Sequence, residues 1–437
     1  MSLNRKKILQ VAARAALAGA TLLFTLARES AASRADPIEI VMWNNPVSES
    51  YTKFWKNYVD EFTKAHPDIH INYEQFDTET MKTKVRAALL AGTEPDIWFF
   101  NPGEFTTINH RQGKIRALND ILPVSEYTKE GRIRCGDGDE MICIPLYLAP
   151  SGFYYNKALF AKAGVDPKSW ADPGRPTLTE FNAAIDRLLA AGIQPIAMAN
   201  SAKWPFMFFY WAAQNRYGGT KALSNAIFGQ NGASYKDESF VKAGQLVQDL
   251  VKRGAFGTGF NGMAESEIYA QFSQGNAATI YMGPWVISIT QEQVAPGFEY
   301  DLFDFPSVAG GAPDSQHDMM AGVDALFVSS STKHPKEVGQ FLSGFSAPDI
   351  ARRFMIETDS MSTINGVLED VIKSGKANAK IARLADYLAK ADHTYQWWDW
   401  LLPPAPAEEM LNLSQPLSEL SVTPEQAAAR IEKAARP

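Results

Sequence analysis

The sequence predicts an α/β fold divided into two lobes, each a sheet flanked by helices. Two observations carry that prediction. Short β-rich apolar runs alternate with amphipathic helical runs from Ile38 onward, the pattern that gives a parallel sheet covered by helices. The chain also has 437 residues, more than the roughly 250–300 at which a single hydrophobic core stops growing.

The elements follow in order. Ile38 to Trp43 reads as a strand buried on both faces, broken by Asn44-Asn45-Pro46. Tyr51, Phe54, Trp55, Tyr58, Val59 and Phe62 recur at helical spacing, with Ser48 as N-cap and Pro67 beyond the end. Ile69, Ile71 and Tyr73 alternate as a second strand. A helix covers Glu79 to Leu90 and stops at Gly92. Asp96 to Phe100 is a third strand, closed by Asn101-Pro102-Gly103. Sheets of this kind hold ligands beyond the C-terminal ends of their strands. Trp43-Asn44-Asn45 and Phe99-Phe100-Asn101 stand at those ends.

Further along, Ile144 to Tyr147 is extended and leads to Gly152-Phe153-Tyr154-Tyr155. Helices are expected over 177–191, 206–213, 240–252, 265–274 and 336–345, with strands at 193–199, 277–282, 300–305 and 325–329. Residues 347–437 read as mainly helical, interrupted by Gln396-Trp397-Trp398-Asp399-Trp400.

Met1 to Ala35 reads as a removable export signal. Lys6 and Lys7 open it, the basic part ends at Arg14, Ala15 to Ala27 is apolar, and Ser33-Arg34-Ala35 offers the cleavage pattern. The apolar run falls short of the roughly 20 residues that span a bilayer, so no membrane insertion is expected. The mature chain begins near Asp36, with no cysteine there to lipidate. It is expected free in the periplasm of a Gram-negative cell. Losing residues 1–35 moves the formal net charge from −7 to about −12, which argues against nucleic acid as a partner. Cys135 and Cys143 flank the turn-forming Gly136-Asp137-Gly138-Asp139. A hairpin there brings them within bridging range, and export makes a disulfide the expectation over two reduced buried thiols.

Catalytic signatures are missing: the sequence has no HExxH, GxSxG or GxxxxGK[ST]. His66 and His70 are four apart, but Pro67 spoils a shared helical face. No cofactor or metal is expected, and the chain is read as a binder, not an enzyme. A secreted glycan-active enzyme stays as a remote alternative, because carboxylate separation is a property of space.

The segments IVMWNN, AGTEPDIWFF, IPLYLAPSGFYYNKALFAKAG, GNAATIYMGPW and TPEQAAARIEK occur in that order along the mature chain. In this the chain resembles extracellular solute-binding protein family 1, the sugar-binding proteins of ABC importers that include maltose-binding protein. The resemblance implies a monomeric two-lobe clamp of the type II kind. Residues 36–147 with 304–346 would form the N-terminal lobe, and 148–303 with 347–437 the C-terminal lobe. Tyr147 and Asp304 would lie near crossovers. The lobes would close by hinge bending on a carbohydrate and present it to a membrane permease.

A sugar offers an apolar C–H face to an aromatic ring and hydroxyls that need hydrogen-bond partners. The candidate ligand residues are of those types. Trp285, after Gly283-Pro284, matches a family position where a Trp stacks on a sugar. One of Trp397 and Trp398 is a second platform. Trp43, Asn44 and Asn45 follow the first strand, and Phe100, Asn101 and Glu104 the third. Tyr154, Asn200 and Trp204 feed the cleft from the second lobe. Asp324, in apolar surroundings at the start of a strand, either meets ligand or caps a backbone group. The loops after strands one and three lack the charged groups of maltose-binding protein, so maltose is not assumed. A polyol, polyamine or phosphorylated polyol in the same fold is the alternative. Phosphate would call for Arg in these loops, and they hold none.

Overall fold

The computed structural model describes residues 37–294 and 297–437; the expected export signal lies outside the described residues. β1 (Ile38–Asn44), β2 (Ile69–Gln75) and β3 (Ile97–Phe100) alternate with α1 (Glu49–Ala65) and α2 (Thr78–Ala91). Ser48 caps α1 by accepting the N–H of Tyr51, and the buried face is the expected stripe from Tyr51 to Phe62. Asp77 caps α2, which ends at Gly92 in the left-handed region. A hairpin of β4 (Gly136–Asp137) and β5 (Glu140–Met141) precedes β6 (Ile144–Pro150) and β7 (Gly152–Asn156). Cys135 and Cys143 are bridged across it, with Cα atoms 5.0 Å apart, and Gly138 turns the chain at φ +62°.

Next come β8 (Gln194–Ile196), α3 (Trp204–Phe228), α4 (Glu265–Ser273), β9 (Ala277–Met282), α5 (Trp285–Gln293), β10 (Tyr300–Phe303) and β11 (Met319–Val328). The chain finishes through α6 (Pro348–Thr358), β12 (Met361–Ser362), β13 (Thr394–Tyr395), α7 (Trp398–Leu401) and further helices to Ala435.

The larger sheet has the order β2-β1-β3-β11-β6-β12, with β13 beside the start of β11. Its β1 pairs are parallel, as the strand–helix alternation implies. β11 enters antiparallel to both β3 and β6, so the sheet is mixed. The smaller sheet has the order β10-β7-β9-β8. Only Ser151 separates β6 of one sheet from β7 of the other.

The helix expected over 206–213 runs on to Phe228, and two further placements that shape the cleft differ from expectation. β11 starts at Met319, not near Ala325, so Asp324 lies within the strand at a register irregularity opposite Tyr147. Its early residues find distant partners: Met319 and Met320 pair with Thr394 and Tyr395, and Ala321 and Gly322 with Pro150 and Ala149. Residues 348–362 lie on the larger sheet, not with the second lobe. β12 pairs with β6. On α6 the stripe of Ala351, Phe354 and Met355 faces α1, with Phe354 4.9 Å from Phe54.

The return from β10 to β11 is anchored by Arg216 on α3. Its buried guanidinium donates to the carbonyls of Phe305, Pro306, Ser315 and Asp318 and sits 3.6 Å from Asp304. Arg175 adds a second ion pair to Asp304 at 3.3 Å. Burial still pushes the Asp304 carboxyl above its ordinary range.

Candidate ligand-binding cleft

A cavity of about 1060 Å³ lies between the two sheets. One wall comes from the first sheet: the β1–α1 loop, the start of α2, and the side chains of Asn101, Tyr147 and Asp324. The other comes from α3, α4 and α5. Trp397, Asp399 and Trp400 complete the lining.

Trp285 stands at a steep angle to two other indoles. Trp285 lies 6.2 Å from Trp204 at 71° and 5.8 Å from Trp397 at 74°. Two glycines let these rings sit where they do. A Cβ on Gly283 would fall 2.1 Å from the Trp285 ring, and one on Gly322 would fall 2.4 Å from Trp397. Trp285 Nε1 donates to Tyr269 Oη at 3.0 Å, and the Tyr269 hydroxyl donates to Glu265 at 2.9 Å. This chain fixes the tilt of the indole. Trp400 carries Lys82 Nζ 5.2 Å from its ring centroid, and Lys82 pairs with Glu79 at 3.0 Å.

Three carboxylates bring acceptors to the same space. Asp324 accepts from Asn101 and from the hydroxyl of Tyr147. Burial pushes its carboxyl up to about 6, although both hydrogen bonds favour the ionised form. Asp399 is pushed to about 6 by burial, with Lys82 acting the other way. One of its carboxylate oxygens is buried without a partner. Burial likewise raises Glu265. Buried acceptors of this kind gain most when a ligand hydroxyl donates to them.

Of the residues expected at the site, Asn45, Asn101, Trp204, Trp285, Asp324 and Trp397 line the cavity. The others do not. Trp43 packs edge-on against Phe76 at 5.7 Å, with Lys84 over its ring. Asn44 is fully buried and braces the loop, accepting from Asn45 N–H and the Tyr51 hydroxyl. Phe100 is core, 4.8 Å from Trp400. Glu104 opens the helix Glu104–Arg111 and stays outside the lining. Tyr154 is buried in the middle of the smaller sheet, because its strand is covered on both faces. Asn200 donates to Asn261 at 2.7 Å, leaving Ser201 and Ala202 at the cavity. Trp398 is core, packed on Tyr210 and Phe240. His66 and His70 do not meet: His66 packs on Phe62 and His70 is exposed on β2.

Sequence reasoning missed Asp399, Trp400, Glu265, Tyr269 and Tyr147. The run Gln396 to Trp400 did signal Asp399, a carboxylate among three tryptophans. Glu265 and Tyr269 share a helix face at i, i+4, but nothing local tells which face meets the cleft.

Residues 45–351 match the model of the bacterial extracellular solute-binding protein family. The chain belongs to that family. It is 22% identical over 386 residues to the multiple sugar-binding protein of Streptococcus mutans, covering 84% of this chain and 83% of that one. A structure solved in work on xylan utilization by the thermophilic bacterium Caldanaerobius polysaccharolyticus has a TM-score of 0.82 and 25% identity. That match covers 91% of this chain and 99% of the other. A chitin oligosaccharide binding protein superposes with a TM-score of 0.83 at 20% identity, over 92% and 98%. The two sheets and the cavity between them are the two-lobe architecture of these solute-binding proteins. Among the described residues no helix is long and apolar enough to cross a membrane.

Proposed function

We propose that this chain captures a carbohydrate in the cleft and hands it unchanged to the permease of an ABC importer. The observation that carries the reading is the set of three angled indoles, Trp204, Trp285 and Trp397, beside the acceptors Asp324, Asp399 and Glu265. Flat rings cover the C–H faces of a sugar, and the carboxylates take its hydroxyls. Asn45, Asn101 and Trp400 complete the proposed ligand set. The names of the relatives support the same class. Residues 1–35 direct export, Asp36 begins the mature chain, and the protein works as a free monomer in the periplasm. The two moving bodies follow the two sheets, so 348–362 travel with the first.

Thermal melting of the mature protein against mono- and oligosaccharides, polyols and polyamines tests this. A true ligand at about 1,000 times its dissociation constant adds roughly 4 kcal/mol of stability. A sugar is expected to raise the midpoint. A rise with polyamines alone overturns the carbohydrate class, and turnover of a sugar overturns the binding role.

A further inference from the structure

One rim of the cleft is bridged by Glu292, on the last turn of α5 beside the smaller sheet. Its carboxylate accepts the main-chain N–H of Glu49 at 3.0 Å and of Ser50 at 2.8 Å. Those residues open α1, which packs on the larger sheet. The first N–H groups of a helix have no partner within it. Ser48 Oγ takes the third of them, from Tyr51, at 3.2 Å, and Glu292 takes the first two from across the cleft. A carboxylate also complements the positive end of the helix dipole. Glu49 and Glu292 both line the cavity.

We propose that Glu292 is a latch that holds the two walls of the cleft together by completing the cap of α1 in trans. The proposal rests on the reading of this cleft as a site that opens and closes. Both partners are groups of the protein, so the latch forms with or without a bound solute. Parting the walls breaks two charge-assisted bonds, which biases the opening equilibrium toward the shut arrangement by about tenfold.

Paired spin labels test it on the full mature chain with no sugar present. Lys56→Cys and Ser266→Cys place the labels at exposed positions on opposite walls. Cys135 and Cys143 are buried and bridged to each other, so they take no label. With Glu292 in place, a short inter-label distance is expected to dominate. Glu292→Ala should lower the ratio of short to long distances by about tenfold, Glu292→Lys by more, and Glu292→Gln by less. Melting midpoints measured alongside should fall by no more than about 1–2 °C, the drop that a tenfold loss of the shut state implies for a chain of this size, which separates unlatching from unfolding. Distance distributions that superimpose across all four proteins overturn the latch, as does a Glu292 protein with only the long distance. Because no sugar is used, failure here leaves the carbohydrate reading intact, and failure of the sugar panel leaves the latch intact.

Discussion

At the scale of single residues, the cleft mixes groups that serve the fold with groups that the proposed reading gives to a ligand. Asp399 belongs to the second kind. Burial holds its carboxyl near 6, and one oxygen has no partner. Asp399→Asn removes a poorly compensated charge and is expected to stabilise the ligand-free protein by about 1–2 kcal/mol at pH 7.5. The same change should weaken sugar binding about tenfold. The pH dependence follows from the sign of the shift. The unfolded carboxyl titrates near 4 and the folded one near 6, so stability falls as pH rises through that window. Sugar hydroxyls donate to the ionised form, so affinity should rise with pH through about 6. Titration calorimetry at pH 5 and 7 checks this, and the Asn variant should show a shallower profile.

The tryptophans separate in the same way. Trp285→Ala is expected to abolish ligand stabilisation while costing the unliganded protein about 2 kcal/mol, because the indole is only partly buried. Trp398→Ala should cost about 3–5 kcal/mol and leave ligand contacts in place. Thermal melts with and without sugar distinguish the two. The choice between Trp397 and Trp398 was not legible in the sequence. Adjacent residues at a helix start point about 100° apart, and only the packing of Trp398 on Tyr210 and Phe240 decides which one turns inward.

At the scale of elements, the local signals in the sequence are strong. The cap at Ser48, the apolar stripe of α1 and the left-handed stop at Gly92 are all present. The hairpin between Cys135 and Cys143 was legible from its turn residues, and the disulfide it predicts is formed. Replacing both cysteines by alanine is expected to cost about 2–3 kcal/mol, with sugar affinity unchanged, since the bridge closes a short loop away from the cleft. Denaturant unfolding checks that figure. What escaped the sequence were long-range pairings. β11 draws its length from partners far away in the chain, and α6 finds α1 through Phe354 and Phe54. Arg216 is another such case: one helical arginine holds four carbonyls of the return to β11. Arg216→Leu should cost about 3–5 kcal/mol, because Asp304 is left buried beside a single guanidinium.

At the scale of the whole molecule, two sheets joined at Ser151 and by the return from β10 to β11 leave a cavity of about 1060 Å³ between them. Its size and aromatic lining suit a ligand held between lobes. Two lobes were legible from chain length and from the alternation of strands and helices. The division of the C-terminal ninety residues was not, because it depends on which surface buries α6 and β12. The candidate site was half legible: the indoles and amides stand out by residue type, whereas Glu265, Tyr269 and Tyr147 reach the cavity only when distant elements meet. The most direct test is a crystal structure of the mature protein with the sugar that raises its melting point most. A sugar ring stacked on Trp285 or Trp397, with hydroxyls on Asp324 and Asp399, is the predicted result. A sugar bound outside the cleft, or one that leaves these indoles uncovered, would contradict it.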